Sequence, residues 1–220
     1  MFYFDSINFI QIIEFLGTFA FAISGIRLAS TRQMDWFGAF VIGFVTAVGG
    51  GTVRDLMLGL TPFWMESSIY VVCSILAMFI VVLYRKILVR LYYTFFTFDT
   101  IGLALFTVVG IEKTLQCGFP YWVAAIMGLI TGSVGGMIRD ILINEIPLVF
   151  RKEIYALACL LGGLFYWVSD MVGFPKEVSQ VGTALVVVIT RLIAVKYQIG
   201  LPILKGVNDD ENVKKQKEEP

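Results

Sequence analysis

The sequence predicts an all-α membrane protein with seven transmembrane helices, arranged as two inverted three-helix repeats plus a seventh helix. Three observations favour this fold class: the apolar composition, the length of the apolar segments, and a pattern that recurs along the chain. Hydrophobic residues make up 58% of the chain and charged residues 15%, whereas a soluble domain needs more polar surface. The zero net charge argues against a nucleic-acid partner, which would need a basic face. Because the chain has no histidine and only three scattered cysteines, we expect no metal site and no cofactor.

Seven segments have the apolarity of a membrane-spanning helix and approach the required length of about 20 residues. Their approximate bounds are 7–28, 36–60, 68–84, 91–111, 120–143, 154–172 and 178–197. The N-terminus has neither a basic region nor a small-residue cleavage site, so we expect the first segment to be retained. The charged segment 205–220 has no apolar periodicity and predicts a disordered tail.

Lysine and arginine in the loops predict the orientation of the chain. The loops on one side hold most of the basic residues, namely Arg27, Arg32, Arg85, Lys86, Arg90, Arg151, Lys152, Lys196 and the lysines of the tail. The loops on the other side hold only Lys113 and Lys176. Because basic loops stay in the cytoplasm, the N-terminus is predicted outside and the C-terminus inside. The basic loops could also bind the anionic headgroups of membrane lipids, but we prefer their role in topology.

The first half of the chain recurs in the second half at an offset of 85 residues, without a gap. The matched pairs are Gly17–Gly102, Phe21–Phe106, Gly25–Gly110, Gly43–Gly128, Thr46–Thr131, Gly50–Gly135, Gly51–Gly136, Arg54–Arg139, Asp55–Asp140, Pro62–Pro147 and Tyr70–Tyr155, and the acidic Glu14 falls on Asp99. The predicted repeats are 7–84 and 91–172, with the helix at 178–197 outside them. Because each repeat has three spans, the second is inserted upside down, a design associated with transport near the membrane midplane.

Glycines lie near the centre of the second and fifth predicted helices. Gly49, Gly50 and Gly51 are in the second helix, and Gly135 and Gly136 are in the fifth. Paired glycines loosen a helix, and a break at equivalent places in two repeats is typical of a transport pathway. The alternative is close helix packing, because glycine lets two backbones approach. For these glycines we favour the pathway.

Charged residues also fall inside the predicted spans: the acids Glu14, Asp55, Asp99 and Asp140 and the bases Arg54 and Arg139. Each costs about 3 kcal/mol in a membrane unless it is paired or hydrated. An intramembrane charge is therefore a functional candidate, with a structural ion pair as the alternative. These acids outnumber the bases, so the set is net negative.

Depth along the helices predicts how these charges pair. Arg54 lies at the depth of Glu14, and Arg139 lies at the depth of Asp99. A pair between Arg54 and the aspartate of the other repeat would have to bridge roughly 15 Å. Adjacent residues of a helix do not face one another, so we expect no pair between Arg54 and Asp55. The sequence therefore predicts ion pairs within each repeat and none between the arginine and its neighbour.

A threonine, a glycine and an arginine share one helical face in each repeat, because they are spaced by four residues. The trios are Thr46, Gly50 and Arg54 in the first repeat and Thr131, Gly135 and Arg139 in the second. Carbonyl groups freed at a helix break would suit a cation, and freed N–H groups would suit a carboxylate. Both together would suit a zwitterion such as an amino acid. This chemistry leaves all three solutes open.

The motifs GTFAFAISG, FGAFVIGFVTAVGGGTVRD and PFW resemble the bacterial membrane family named for its glycine-transporter domain. The motifs DTIGLALFTVVG, MGLITGSVGGMIRDIL and NEIP resemble the same family, so the resemblance covers roughly residues 7–197. That family is similar in fold to the trimeric intracellular cation channels.

The resemblance implies kinked second and fifth helices, a pore in each protomer, a homotrimer and a place in the bacterial cytoplasmic membrane. It puts the kinks at the central glycines and makes Arg54, Asp55, Arg139 and Asp140 lining charges. Val134 stands where the first repeat has Gly49, so the two halves of the site are not equal.

We expect the protein to transport a small polar solute, and glycine is the first candidate. The second expectation is a channel for monovalent cations, potassium or sodium, with the same architecture. The third is a membrane scaffold or lipid-binding subunit whose ion pairs lock helices together. An enzyme is not expected, because the sequence has no nucleophile–base arrangement and no metal motif.

Overall fold

The computed structural model describes residues 9–84, 88, 93–151 and 154–200. Within these ranges the chain forms α-helices joined by short turns, with a 3₁₀ turn at Leu148–Phe150. The helices are α1 (Phe9–Ser30), α2 (Trp36–Met57), α3 (Phe63–Glu66), α4 (Ile69–Leu83), α5 (Thr94–Gln116), α6 (Tyr121–Leu142), α7 (Ala156–Val172) and α8 (Lys176–Lys196). The predicted tail at 205–220, and residues 7–8 and 91–92 of the predicted spans, lie outside the described residues.

Five of the described helices are long and apolar enough to cross a membrane, namely α1, α2, α5, α6 and α8. Helices α4 and α7 are apolar but shorter, with 15 and 17 residues. The protein is therefore an all-α multi-pass membrane protein. The number of crossings stays a prediction, because a helix of 15 residues covers only about 22 Å of a hydrocarbon core about 30 Å thick.

Helices α1, α2, α5 and α6 form the centre of the bundle. Helix α1 packs against α2 and α5, and α6 packs against the same two helices. The rings of Phe21 in α1 and Phe106 in α5 stack with their centroids 5.5 Å apart. Helix α4 packs on α1 and α2, whereas α7 packs on α6, and α8 packs on α7 and α5. Helix α8 thus packs on helices of the second half, and no equivalent helix packs on the first half among the described residues.

Helices α2 and α6 end in the same kind of turn. Gly59 and Asn144 have φ angles of 70° and 59°, the left-handed conformation that commonly ends a helix. The next backbone N–H donates back to the carbonyl oxygen of Asp55 or Asp140, at 2.8 Å in each half. Helix α3 follows in the first half and the 3₁₀ turn follows in the second. These matched turns lie 85 residues apart, which supports the predicted repeat.

The break predicted at the central glycines is absent, since α2 and α6 run as continuous α-helices through residues 49–51 and 135–136. A Cβ atom on Gly50 would lie 2.1 Å from the carbonyl oxygen of Thr131, and one on Gly135 would lie 2.3 Å from that of Thr46. A broken helix would leave backbone groups unpaired in the membrane, so the helices stay hydrogen-bonded and the glycines let two backbones touch. A part for these glycines in a pathway remains a prediction.

Candidate functional site

The predicted charges of the first repeat meet at one end of the bundle. Glu14 of α1, Arg54 and Asp55 of α2, Tyr70 of α4 and Lys113 of α5 lie together there. We name these five residues the first cluster. The side chain of Arg54 is fully buried and that of Glu14 is 4% exposed, so the cluster lies inside the protein.

The carboxylate of Glu14 is the centre of the first cluster. Its Oε1 atom lies 2.9 Å from Lys113 Nζ and 3.6 Å from Arg54 Nη2. Its Oε2 atom accepts a hydrogen bond of 2.7 Å from the hydroxyl of Tyr70. Glu14 is therefore compensated by Lys113, by a phenol and by an arginine that it shares with Asp55, in a place where an unpaired charge would be strongly destabilising.

The second cluster lies at the opposite end of the bundle. It consists of Asp99 of α5, Arg139 and Asp140 of α6, Ser24 of α1 and Tyr155 just before α7. Arg139 Nη1 lies 2.5 Å from Asp99 Oδ1 and donates to Ser24 Oγ at 2.9 Å. The contact with Ser24 joins the second repeat to the first. Along α1, this serine is about 15 Å from the first cluster.

The ion pairs predicted within each repeat, Glu14 with Arg54 and Asp99 with Arg139, are both confirmed. The prediction that Arg54 does not pair with Asp55 is wrong. Arg54 Nη2 lies 2.7 Å from Asp55 Oδ1, and Arg54 Nε donates to the same oxygen. Neighbouring Cβ atoms diverge around a helix, but the long arginine side chain folds back far enough to reach its neighbour. The second repeat has the same arrangement, at 2.8 Å.

Each aspartate of the two Arg-Asp motifs also holds the turn after its helix. Asp55 Oδ2 accepts a hydrogen bond from the backbone N–H of Phe63 at 2.9 Å. Asp140 Oδ2 accepts the equivalent bond from Leu148 at 3.1 Å. One carboxylate oxygen therefore binds the arginine, while the other caps the start of the short helix. This double contact explains why arginine and aspartate recur together in both halves.

Two bases inside the bundle, one half-buried and one buried, were not among the predicted site residues. Lys113 was assigned to a loop, but α5 continues to Gln116 and the ammonium group lies 5.3 Å from the Phe63 ring. Arg191 of α8 is buried, with its guanidinium 4.8 Å from the Tyr155 ring. Lys113 and Arg191 offset the net negative charge of the six predicted residues. The tyrosines of the two clusters could have been found from the sequence, because Tyr70 and Tyr155 align at the repeat offset of 85 residues.

Thr46 and Thr131, which share a helical face with a glycine and an arginine, have hydroxyls that are already hydrogen-bonded. Each hydroxyl donates at 2.6 Å to the carbonyl oxygen one helical turn earlier. Each Oγ1 atom also lies against a glycine of the adjacent helix: a Cβ on Gly25 or Gly110 would come within 2.6 or 2.5 Å of it. The hydrogen-bonding need of a hydroxyl in an apolar bundle is thus met locally. In this conformation the two threonines serve helix packing.

Several polar atoms of the clusters have no hydrogen-bond partner among the described residues, namely Arg54 Nη1, Arg139 Nη2, Asp99 Oδ2 and the hydroxyl of Tyr155. Buried polar atoms normally have partners, so such atoms mark positions where water or a solute can bind. The set combines N–H donors, which suit a carboxylate, with a carboxylate oxygen, which suits a cation. The chemistry of the clusters is therefore compatible with a cation and with a zwitterion.

A cavity of about 370 Å³ reaches the second cluster. Asp140 lines it together with Arg27, Arg151, Arg191 and Glu145. At its rim, Glu145 pairs with Arg151 at 3.1 Å. The second cluster therefore borders a cavity, lined by charged and apolar side chains, that can admit a small hydrated solute.

The helical bundle and its two buried ion clusters define a multi-pass membrane protein of the transport class. A family model described as "Glycine transporter" matches residues 11–86 and again residues 96–170. The chain belongs to this family, as its motifs indicated. The two matched segments begin 85 residues apart, which is the offset of the repeat.

Relatives of this protein in other bacteria are similar over most of their length. A UPF0126 membrane protein of Vibrio cholerae is 39% identical over 197 residues, which are 89% of this chain and 82% of the relative. The UPF0126 inner membrane protein YadS of Escherichia coli is 38% identical over 193 residues, which are 86% of this chain and 93% of the relative. The resemblance to a bacterial membrane family is therefore confirmed.

A solved structure with the same fold is the TRIC trimeric intracellular cation channel orthologue from Rhodobacter sphaeroides. The two chains are 34% identical and superpose with a TM-score of 0.82. The match covers 86% of this chain and 98% of the other. The expected similarity in fold to these channels is therefore confirmed.

Proposed function

We propose that this protein conducts monovalent cations as a homotrimer in the bacterial cytoplasmic membrane. The observation that carries the proposal is the structural match to the R. sphaeroides protein, a trimeric intracellular cation channel orthologue. The match covers 98% of that protein. The E. coli relative is an inner membrane protein, which supports the location. We therefore rank potassium and sodium ahead of glycine, the solute that the sequence put first.

The two clusters are proposed to close opposite ends of a pathway along α2 and α6. Each cluster arginine is held by two acids, so the clusters keep these helices in fixed positions. The crossing at Gly50 and Gly135 leaves no space between the two backbones. Conduction therefore requires α2 and α6 to slide or separate at the crossing, which glycines allow without collisions between side chains.

Lys113 is proposed to act as a replaceable counter-ion in the first cluster. Its ammonium group lies 2.9 Å from Glu14 Oε1, and its side chain is 23% exposed. The guanidinium of Arg54, by contrast, is fully buried. A metal cation from water can take the place of the ammonium beside Glu14 while the carboxylate stays compensated. This exchange is the first step of permeation at that end of the protein.

The proposed protomer has seven crossings, with the N-terminus outside and the C-terminus in the cytoplasm. Its repeats are residues 7–84 and 91–172, and its seventh crossing is at 178–197. The matched turns after α2 and α6 and the double match of the family model support this arrangement. The distribution of lysine and arginine supports the orientation.

Glycine transport is the second candidate, and the description of the matching family favours it. Arg139 Nη2 and Asp99 Oδ2 have no hydrogen-bond partner among the described residues. An N–H donor and a carboxylate oxygen of this kind complement the carboxylate and the ammonium group of a zwitterion. The cavity that borders the second cluster would provide access for it.

Measurements on purified protein in lipid bilayers separate these candidates. We expect unitary potassium currents in planar bilayers and no saturable uptake of radiolabelled glycine into proteoliposomes. Glycine uptake without unitary currents would favour the second candidate. A folded protein with neither activity would support the membrane scaffold or lipid-binding subunit. Native mass spectrometry of the same preparation should show three copies per particle, and a monomer would contradict the homotrimer.

A further inference from the structure

A third group of polar side chains, buried or half-buried, lies outside the two clusters of the transport site. Glu112 Oε1 accepts hydrogen bonds from the hydroxyl of Tyr166 and from Gln180 Nε2, the latter at 2.6 Å. The hydroxyl of Tyr121 donates to Asp170 Oδ2. Tyr166 and Asp170 are four residues apart and share one face of α7, so the two hydrogen-bonded groups lie close together. We name these five residues the acidic cluster.

The two carboxylates of the acidic cluster lack a counter-ion among the residues that the structure describes. No lysine or arginine there lies within 4.0 Å of Glu112 or Asp170. Lys113 follows Glu112 in sequence but binds Glu14 instead. Glu112 is only 3% exposed. A buried carboxylate in a membrane bundle needs a compensating charge, so this one marks a candidate binding site.

Gln180 brings an unsatisfied oxygen to the same place. The residue is 6% exposed, and its Oε1 atom has no hydrogen-bond partner within the described part of the chain. This oxygen is bonded to the same carbon as Nε2, which donates to Glu112, so it lies at the acidic cluster. Three kinds of oxygen therefore meet there: the carboxylate of Glu112, the amide oxygen of Gln180 and the phenol oxygen of Tyr166.

We propose that the acidic cluster binds a monovalent metal cation, sodium or potassium, between α5, α7 and α8. Hard cations prefer oxygen ligands, and the one deeply buried carboxylate, that of Glu112, beside neutral amide and phenol oxygens matches a single positive charge, whereas Asp170 is half-buried. The described residues hold no group of three or more carboxylates, cysteines or histidines, a set that would favour a divalent ion. The bound cation compensates Glu112 and ties α8 to α5 and α7. The site lies away from the crossing of α2 and α6, so it does not depend on which solute the protein transports.

Thermal unfolding of the detergent-purified full chain tests the site. The midpoint should be measured in potassium chloride, sodium chloride and N-methylglucamine chloride at constant ionic strength. A cation that binds only the folded protein raises the midpoint as its concentration rises. We expect such a rise with potassium or sodium relative to N-methylglucamine, and its loss in Glu112→Gln. Glu66→Gln, which neutralises an exposed acid, should keep the rise.

A second variant keeps the test decisive if Glu112→Gln does not fold. Gln180→Leu removes the amide oxygen while Glu112 keeps its bond with Tyr166, so the half-maximal cation concentration should increase at least tenfold. Equal midpoints of the unaltered protein in the three salts would overturn the proposal. A full cation dependence in both variants would also overturn it. The thermal unfolding test does not measure transport, and its result does not depend on whether the protein conducts potassium. Failure of this site is therefore distinguishable from failure of the channel.

Discussion

The two clusters differ in the number of basic side chains that contact the buried acid of α1 or α5. Glu14 contacts both Arg54 and Lys113, whereas Asp99 contacts Arg139 as its one base within 4.0 Å among the described residues. Removing one partner of a buried ion pair costs about 3–5 kcal/mol, because the other charge stays buried. We therefore expect Arg139→Ala to lower the thermal unfolding midpoint more than Arg54→Ala.

The same two variants also test the transport role of the arginines. Both should lower flux in proteoliposomes, measured per folded trimer, because each leaves two buried acids without their shared arginine and so distorts one end of the proposed pathway. Unchanged flux in both variants would contradict that role. Equal unfolding midpoints would contradict the argument from Lys113, because they would mean that the lysine does not compensate Glu14.

The equivalent tyrosines provide a matched comparison at the residue scale. The hydroxyl of Tyr70 donates to Glu14 at 2.7 Å, whereas that of Tyr155 has no partner among the described residues. A hydrogen bond to a charged group contributes about 1.5–3 kcal/mol. Tyr70→Phe should therefore destabilise the protein in thermal unfolding, while Tyr155→Phe should have little effect and keep its ring against Arg191. A larger loss in Tyr155→Phe would show that its hydroxyl has a bound partner, such as water.

At the scale of helices, the crossing of α2 and α6 depends on two glycines. A methyl group on Gly50 or Gly135 would collide with a backbone carbonyl, which cannot turn aside as a flexible side chain can. We expect Gly50→Ala and Gly135→Ala to push the helices apart and to lower both the unfolding midpoint and the yield of trimer. Overpacking of this kind typically costs about 1–3 kcal/mol.

Gly49→Ala is the matched control for the crossing. Its Cβ would meet the flexible end of Ile138 at 3.1 Å, and the second repeat already has Val134 at the equivalent position. This variant should therefore be close to the unaltered protein in midpoint and trimer yield. If it proved as damaging as Gly50→Ala, the three glycines would act together through backbone flexibility rather than through one close contact.

The elements were largely predictable because the apolar length of a helix is a local property of the sequence. Helix α2 begins at Trp36 as predicted and ends at Met57, just before the left-handed Gly59. The role of the central glycines was not predictable, because a glycine pair suits a bend or a close crossing. Only the distant partner helix decides between them. Lys113 was missed for a related reason: the apolar run stops at Ile111, but α5 continues to Gln116.

At the scale of the whole molecule, the clusters couple the two halves of the chain. Lys113 of the second half binds Glu14 of the first, and Ser24 of the first half binds Arg139 of the second. Each end of the bundle is therefore closed by residues from both halves. A movement that opens one end changes contacts of α1 and α5, which both run to the other end. The symmetry of the fold thus provides a physical route by which the two ends can influence each other.

The orientation of the whole molecule can be tested with its own cysteines. Cys117 is exposed in the turn between α5 and α6, which is predicted to lie outside, whereas Cys73 is half-buried and Cys159 is buried. A membrane-impermeant maleimide added to intact spheroplasts should therefore label Cys117, and Cys117→Ser should lose the label. Thr31→Cys, made in the Cys117→Ser background, lies in the exposed turn after α1 and should react only after permeabilisation. The opposite pattern would mean that the chain is inserted with its N-terminus in the cytoplasm, against the distribution of its basic residues.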